Sequence, residues 1–147
     1  MKILHNNKKA NFEYEIQNKF EAGIALEGWE VKSVKNHSVS IDNAYVKIEN
    51  GEAILKNSSI PSWSFGEQKT KEQEERDRKL LLKKKEIAKI EAMLNQERYT
   101  AVPTKIYLNN RGLVKIEIGL GRGRRKYDKR QKLKEKDLKR RINQDLL

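Results

Sequence analysis

The sequence contains no cysteine, and this absence excludes several kinds of site at once. Disulfide frameworks, cysteine-ligated zinc sites and thiol nucleophiles are ruled out, and the reducing cytosol is the expected compartment. No apolar run approaches the ~18 residues that a membrane span requires. The N-terminal residues also lack the apolar stretch of a secretory signal. The sequence therefore predicts a cytoplasmic protein with no membrane partner.

Recognisable catalytic motifs are missing as well. The two histidines, His5 and His37, lie far apart and in no metal-ligand spacing. The glycine-rich segment 119–123 leads into basic residues rather than an apolar helix, so it is a poor nucleotide-binding loop. We interpret it as a flexible hinge whose backbone can lie close to a phosphate group, with a plain linker as the alternative. We expect no enzyme, metal, cofactor or small-molecule substrate; a metal-dependent nuclease is the remaining enzymatic alternative.

Acidic residues are scarce relative to basic ones. The 147 residues include 33 Lys and Arg against 21 Asp and Glu, a formal net charge of +12. The segment 122–147 holds 12 of the bases and four of the acids, and so carries +8. Such a segment repels itself and is predicted to be disordered alone. Nucleic acid would neutralise it with release of counterions, so a polyanion is the expected partner. A solvated solubility tail is the alternative.

Periodicity predicts a single, mainly β domain. Alternating apolar and polar residues indicate strands at 14–26, 44–55, 99–108 and 114–120. Asn50-Gly51 predicts a hairpin with a type I′ turn, because both central residues of that turn need positive φ. Gly23 predicts a bulge or bend in the strand at 14–26, and Pro103 predicts an edge or bulge position in the strand at 99–108.

Helices are predicted on either side of a loop. The segment 27–34 reads as a short helix, and 61–77 reads as a mobile loop without periodicity. A second helix is predicted from Asp77, with one apolar stripe formed by Leu80, Ile87, Ile90 and Leu94.

These elements predict a small OB-like antiparallel β-barrel of about six strands with flanking helices in residues 1–121, followed by a basic tail in 122–147. OB-like barrels bind RNA through loops and one sheet face.

Basic and aromatic residues interleave in two segments, a pattern typical of RNA contact. The first segment, 6–12, combines Lys8 and Lys9 with Phe12, and the second, 124–130, surrounds Tyr127 with bases. Cations contact phosphate, and a ring stacks on an unpaired base for about 1–3 kcal/mol. Phe12 is equally suited to pack on the end of the barrel. Tyr127 has no obvious core to enter, so stacking is the preferred interpretation.

Four segments together resemble one family. They are Asn7-Lys8-Lys9-Ala10, FEAGIALEGWEVKSVK at 20–35, Arg78-Lys79-Leu80-Leu81-Leu82, and GRGRRKYDKR at 121–130. This set is similar to the SsrA-binding proteins, also called small protein B (SmpB), over residues 7–130. The resemblance implies an OB-like barrel that binds the tRNA-like domain of transfer-messenger RNA (tmRNA, SsrA). It also implies delivery of that RNA to stalled ribosomes for trans-translation and ribosome rescue.

The resemblance, joined to the basic and aromatic pattern, assigns two sets of site residues. The expected RNA-binding residues are Asn7, Lys8, Lys9, Phe12, Glu21, Arg78, Lys79, Arg122, Arg124 and Arg125. The expected ribosome-binding tail residues, which would work in the decoding site and the mRNA path, are Tyr127, Asp128, Lys129, Arg130 and Lys132. This tail is expected to be disordered alone and helical on the ribosome. Glu21 cannot attract phosphate, so we expect it to pair with a base or amide and hold a loop in shape.

Two departures from the family's pattern affect these expectations. Tyr127 stands where many members carry histidine, which keeps a ring and loses a proton-dependent role. The segment 74–77 lacks the family's usual residues, which puts contacts from that loop in doubt.

A ribosomal or general RNA-binding protein with a basic extension is the alternative function, and selective recovery of one tRNA-like RNA would distinguish the two.

Overall fold

The computed structural model of the chain describes residues 1–96, 98–124, 133, 134 and 136. Within these residues the strands and helices alternate irregularly along the chain. In order they are β1 (Lys2–Asn6), α1 (Lys8–Glu13), β2 (Tyr14–Ile24), α2 (Gly28–Lys35), β3 (Tyr45–Glu49), β4 (Glu52–Lys56), α3 (Lys71–Glu74), β5 (Arg78–Leu81), α4 (Lys84–Leu94), β6 (Tyr99–Leu108) and β7 (Val114–Gly123). The described residues of the segment 133–136 are helical as well.

The seven strands form one antiparallel sheet in the order β1-β6-β7-β2-β5-β4-β3. β1 and β3 are its edges, so the sheet is open, although it curls enough for β3 to pack against β6. The prediction of a mainly β protein with an antiparallel sheet and flanking helices is confirmed. The predicted closure into a barrel is not, because the edge strands β1 and β3 do not pair with each other. The sheet has seven strands rather than about six, because residues 2–6 add β1 beside β6 and residues 78–81, predicted as part of a helix, add β5.

The hairpin prediction is confirmed in detail. β3 and β4 pair in register around Asn50 and Gly51, whose φ angles are 51° and 76°. The bulge predicted at Pro103 is also confirmed, since the β6–β7 register shifts just after this residue. Pro103 is in an interior strand, and the bulge accommodates its missing N–H there.

Two glycine predictions are wrong. Gly23 pairs regularly with both of its neighbouring strands, and the bulge of β2 lies instead between Ile16 and Asn18. The expected hinge at 119–123 is part of β7, where β2 approaches very closely. A Cβ atom on Gly121 would lie 2.3 Å from the backbone oxygen of Glu15. The glycine therefore allows two strands to pack closely, and does not provide a flexible joint.

The helices follow the predictions only in part. α2 is confirmed and begins with a capping box in which the Glu30 carboxylate accepts from the Glu27 N–H. α4 begins at Lys84 rather than Asp77, because 78–81 pairs as β5 between β2 and β4. The predicted loop at 61–77 contains the short helix α3, which Thr70 caps.

The core lies between the sheet and the helices. Its fully buried side chains include Leu55, Leu80, Ile90, Ile116, Ile118 and Leu120. Ile90 faces the core from α4, while the lysines of that helix remain in solvent. Burial of each such side chain contributes about 1.5–3 kcal/mol, so this cluster holds β5 beside β2 and α4 against β6.

Candidate nucleic-acid interface

A groove rich in lysine runs along β2, β5 and the start of α4. Its larger part, about 550 Å³, is lined by four lysines and three acids among other residues: Lys79, Lys83, Lys84, Lys115, Glu21, Glu52 and Glu86. An adjoining part, about 310 Å³, is lined by residues that include Leu26, Val31, Lys35 and Leu113. The two parts share Gly23, Leu81 and Lys115, and together they are called the lysine groove below.

The floor of the lysine groove is apolar and exposed. Leu81 and Leu113 keep 54% and 53% of their surface accessible, which is unusual for large aliphatic side chains. Gly23 leaves room for this arrangement, because a Cβ atom there would lie only 3.2 Å from the Leu81 Cβ. Lysine ammonium groups beside an open apolar floor suit a ligand that has both anionic groups and flat or aliphatic surface, as a nucleic acid does.

Glu21 is held in one orientation at the groove. It lies on β2, and the Tyr107 hydroxyl of β6 donates a hydrogen bond to its carboxylate. Burial, and then the nearby Glu21 carboxylate, raise the pKa of Tyr107, so the phenol stays a donor at any physiological pH. The carboxylate remains exposed and can accept a further hydrogen bond. The geometry therefore prepares Glu21 to accept from a hydroxyl or amino group.

A second acid lies directly opposite Glu21 on the neighbouring strand. Glu117 on β7 is its register partner, and two acids in this position would repel each other. Three neighbours offset that repulsion. The Thr104 hydroxyl donates to Glu117 at 2.8 Å, while the ammonium groups of Lys19 and Lys105 lie 3.7 and 3.6 Å from its carboxylate.

The structure places Asn7 inside the protein, with 1% of its surface exposed. Its side-chain oxygen accepts from the Ala10 N–H and caps α1, and its amide donates to the carbonyls of Ile41 and Pro103 at 3.1 and 2.7 Å. Asn7 thus joins α1 to two other segments, and both polar atoms of its side chain are bonded within the protein.

The remaining residues of the first basic segment are on the surface. Lys8 and Lys9 are exposed, and the Lys9 ammonium donates to the Asn43 side chain at 2.8 Å. Phe12 is half-buried. Lys9 also lines a separate cavity of about 250 Å³. These three side chains remain available to an external partner.

Arg78 is fully buried within a hydrogen-bonded cluster, whereas its neighbour Lys79 is exposed in the lysine groove. The Arg78 guanidinium donates to Glu30 at 2.6 Å, to the Ser58 hydroxyl at 2.9 Å and to the Glu74 carbonyl at 2.9 Å. Arg78 therefore has no free donor surface for an RNA in this conformation, and it connects β5 to α2 and α3.

Glu30, the acid of this cluster, is also fully buried. Burial alone would raise the pKa of Glu30. Hydrogen bonds from Arg76, from the Glu27 N–H and from Arg78 outweigh that effect and lower the pKa below its usual 4.5. The carboxylate is therefore ionised at neutral pH, and it fixes the position of both arginines.

Arg122 and Arg124 are held against the sheet at the end of β7. The Arg122 guanidinium lies 4.9 Å from the centre of the Tyr99 ring, and the Tyr99 hydroxyl donates to Gln17 at 2.8 Å. The Arg124 N–H donates to the Glu13 carbonyl at 2.7 Å. Both arginines keep exposed surface, so they can contact RNA beside the end of α1.

The other predicted residues lie outside the described part of the chain. These are Arg125, Tyr127, Asp128, Lys129, Arg130 and Lys132. Among the described residues, no helix has the length and apolarity needed to cross a membrane, and no three acidic or histidine side chains converge as metal ligands.

Sequence reasoning missed much of the lysine groove. It did not identify Lys115, Leu113 or Tyr107, although Lys115 occupies the polar side of a strand that was correctly predicted. That alternation was the available signal for Lys115. Leu113 and Tyr107 had none, because their importance depends on which strand lies beside them.

Comparisons with known proteins agree on one family. The family model described as SmpB protein matches residues 4–147. An SsrA-binding protein of Exiguobacterium sibiricum is 49% identical over 99% of this chain and 92% of its own length. One from Mycoplasmopsis synoviae is 47% identical over 99% of both chains. A solved structure described as "tmRNA-SmpB: a journey to the center of the bacterial ribosome" is 38% identical, with a TM-score of 0.69 over 86% of this chain and 92% of its own.

Proposed function

This chain belongs to the SmpB family, and from that premise we propose that it is an RNA-binding adaptor of trans-translation. It binds the tRNA-like domain of tmRNA and delivers that RNA to stalled ribosomes, which are thereby rescued. In this proposal the protein is cytoplasmic, is not an enzyme and works through two surfaces. The curled sheet serves as the OB-like RNA-binding body, and the part of the basic segment 122–147 that begins at Tyr127 enters the ribosome.

The lysine groove is the observation that supports this proposal most strongly. Lys79, Lys83 and Lys115 provide sequence-independent contacts to phosphates. The exposed leucine floor packs against ribose and base surfaces. Glu21 accepts a hydrogen bond from a 2′-hydroxyl or a base amino group, which adds selectivity that lysines alone do not provide.

Asn7 and Arg78 take an indirect role in this proposal. Asn7 fixes the start of α1, so that Lys8, Lys9 and Phe12 are presented to the RNA. Arg78 fixes β5, so that Lys79 and Leu81 face the lysine groove. Both side chains are buried, and each supports contacts that its neighbours make.

The basic segment takes the ribosomal role. Arg122 and Arg124 contact the RNA beside the body, together with Arg125. Tyr127, Asp128, Lys129, Arg130 and Lys132 enter the decoding site and the mRNA path, where ribosomal phosphates neutralise the charge of this segment.

The central test measures the contribution of one groove lysine. Lys115→Ala should weaken binding of the tRNA-like RNA severalfold, and should lower the slope of log affinity against log salt by about one. Lys47→Ala is the matched control: this lysine lies on β3 outside the lysine groove, with 59% of its side chain exposed. It should change neither quantity. Fluorescence anisotropy at several salt concentrations provides both readouts.

A ribosomal RNA fragment of equal length tests the alternative function. A trans-translation adaptor should prefer the tRNA-like RNA clearly at physiological salt. Equal affinity for the two RNAs would favour a general RNA-binding protein and contradict the proposal. An unchanged affinity of Lys115→Ala would remove the lysine groove from the interface.

A further inference from the structure

Two aromatic side chains, the exposed Phe65 and the half-buried Trp63, lie on the loop between β4 and α3. Phe65 is 88% exposed, and its ring meets the Trp63 ring edge to face at a centroid distance of 5.4 Å. Large apolar side chains with this exposure are expensive to leave in water, and paired ones mark interaction sites. Neither residue lines the lysine groove, so the proposed RNA site leaves this pair unexplained.

The loop that carries the pair is held in a defined shape. The Ser62 hydroxyl donates to the Glu74 carboxylate at 2.8 Å and accepts from the Lys69 N–H at 2.9 Å. The Gly66 N–H closes a turn on the Trp63 carbonyl at 3.0 Å. A loop fixed in this way presents its aromatic side chains at a lower entropic cost on binding than a flexible one.

The charge around the pair is opposite in sign to the charge of the whole chain. Segment 61–77 contains five acids and three bases, whereas the chain carries +12. Glu67, Glu72 and Glu75 are exposed there. Of the bases, only Lys71 is exposed, whereas Lys69 is half-buried 3.7 Å from Glu67 and Arg76 is bonded to the buried Glu30. An acidic surface repels phosphate, so a stacked RNA base is disfavoured at this loop.

We infer that Trp63 and Phe65 form a docking site for a protein, distinct from the RNA-binding surface. The complementary partner has an apolar pocket that receives the Phe65 ring, with lysine or arginine side chains around it that face the three acids. Aromatic anchors inside a charged rim are the usual composition of a protein–protein contact. This inference rests on the proposed function, because the stalled ribosome is the assembly in which that protein partner is met.

Photo-crosslinking from position 65 tests the inference directly. The full chain, with p-benzoylphenylalanine in place of Phe65 and the tRNA-like RNA bound, is loaded on purified stalled ribosomes and irradiated. The adduct is identified by mass spectrometry and by ribonuclease digestion. The matched control carries the same probe in place of Leu113, which is 53% exposed in the lysine groove.

The two probes separate this inference from the function on which it rests. The probe at 65 should attach to a ribosomal protein, and the probe at 113 should attach to the tRNA-like RNA. Attachment at 65 to RNA alone, or no attachment above the dark control, would overturn the docking site. Failure of the probe at 113 to reach the tRNA-like RNA would instead count against the proposed function, and the result at 65 would still decide the docking site.

Charge reversal tests the role of the three exposed acids, Glu67, Glu72 and Glu75, that surround the aromatic pair. Glu72→Lys together with Glu75→Lys should reduce the protein adduct from position 65 about fivefold, since each exposed ion pair contributes modestly. The affinity for the tRNA-like RNA should not fall, and circular dichroism should confirm an intact fold. An adduct yield that is unchanged or higher would show that the partner surface is not basic, and would refute the inference as stated.

Discussion

Replacing Arg78 by methionine should lower the free energy of unfolding by about 3–5 kcal/mol, the range for a buried ion pair that loses one partner. The side chains are similar in length, but methionine has no donor. The change leaves Glu30, the Ser58 hydroxyl and the Glu74 carbonyl without hydrogen bonds of 2.6, 2.9 and 2.9 Å. Because Arg76 still binds Glu30, we expect a loss near the lower end of this range.

The same substitution distinguishes two roles for Arg78 in RNA binding. If Arg78 contacts phosphate, its loss should reduce the slope of log affinity against log salt by about one. If it only positions β5, the folded fraction of the variant should keep the wild-type slope. The structure predicts the second result, since the Arg78 side chain has no exposed surface.

Lys79→Met is the matched control on the adjacent residue. Lys79 has half of its side chain exposed and forms only a surface ion pair, at 3.4 Å from Glu52. Its loss should change the free energy of unfolding by less than about 1 kcal/mol and should lower the salt slope. Urea unfolding followed by circular dichroism, with anisotropy at several salt concentrations, measures both. The reasoning fails if Arg78→Met is as stable as Lys79→Met and shows the reduced slope.

Three other predictions concern the groove, the buried acid and the tail. Glu21→Ala should weaken binding of the tRNA-like RNA about tenfold. The Tyr107 hydroxyl left without its partner costs about 1 kcal/mol of stability, which is too little to unfold the protein. Unchanged RNA affinity would argue against Glu21 as an RNA-binding residue. The pKa of Glu30 is lowered from 4.5, so the stabilisation by its carboxylate is present above that pH and is lost as the pH falls through the folded-state pKa. Glu30→Gln should therefore reduce the dependence of the free energy of unfolding on pH in the acidic range, as measured by urea unfolding. Ending the chain before Tyr127 should leave selective RNA binding largely intact and abolish peptide tagging on stalled ribosomes; a parallel loss of both would mean that the tail is simply part of the RNA-binding surface.

The sequence was sufficient wherever a few neighbouring residues decide the structure. Asn50-Gly51 prefers positive φ and defines the β3–β4 hairpin without help from the rest of the chain. Alternation alone identifies β7, and the helix predicted at 27–34 forms as α2 at Gly28–Lys35. The start of α4 was missed because Lys83 stands at its N-cap, where a serine or threonine would have marked the position.

The capping signal of α3 was present in the sequence but short. Thr70 and Gln73 form a capping box, yet a helix of four residues has no periodicity to detect. The segment 61–77 was therefore predicted as a mobile loop. The hydrogen bonds that give this segment a defined shape run from Ser62 and from the Ile60 N–H to Glu74 of α3. They join residues that are more than ten positions apart.

The candidate site shows the same division between local and long-range information. Charge and resemblance identified Glu21 and Lys79 from the sequence. Only the tertiary structure showed that Tyr107, 86 positions away from Glu21, holds its carboxylate, and that Arg78 and its neighbour Lys79 have opposite exposures. Turn and strand preferences act over two to ten residues, whereas burial and partner choice depend on which distant strands pair. For this reason the sequence determined the hairpin, the strands β2, β6 and β7 and the basic character of the chain, and tertiary packing decided the pairing of β1 and β5 and which of the charged side chains can reach an RNA.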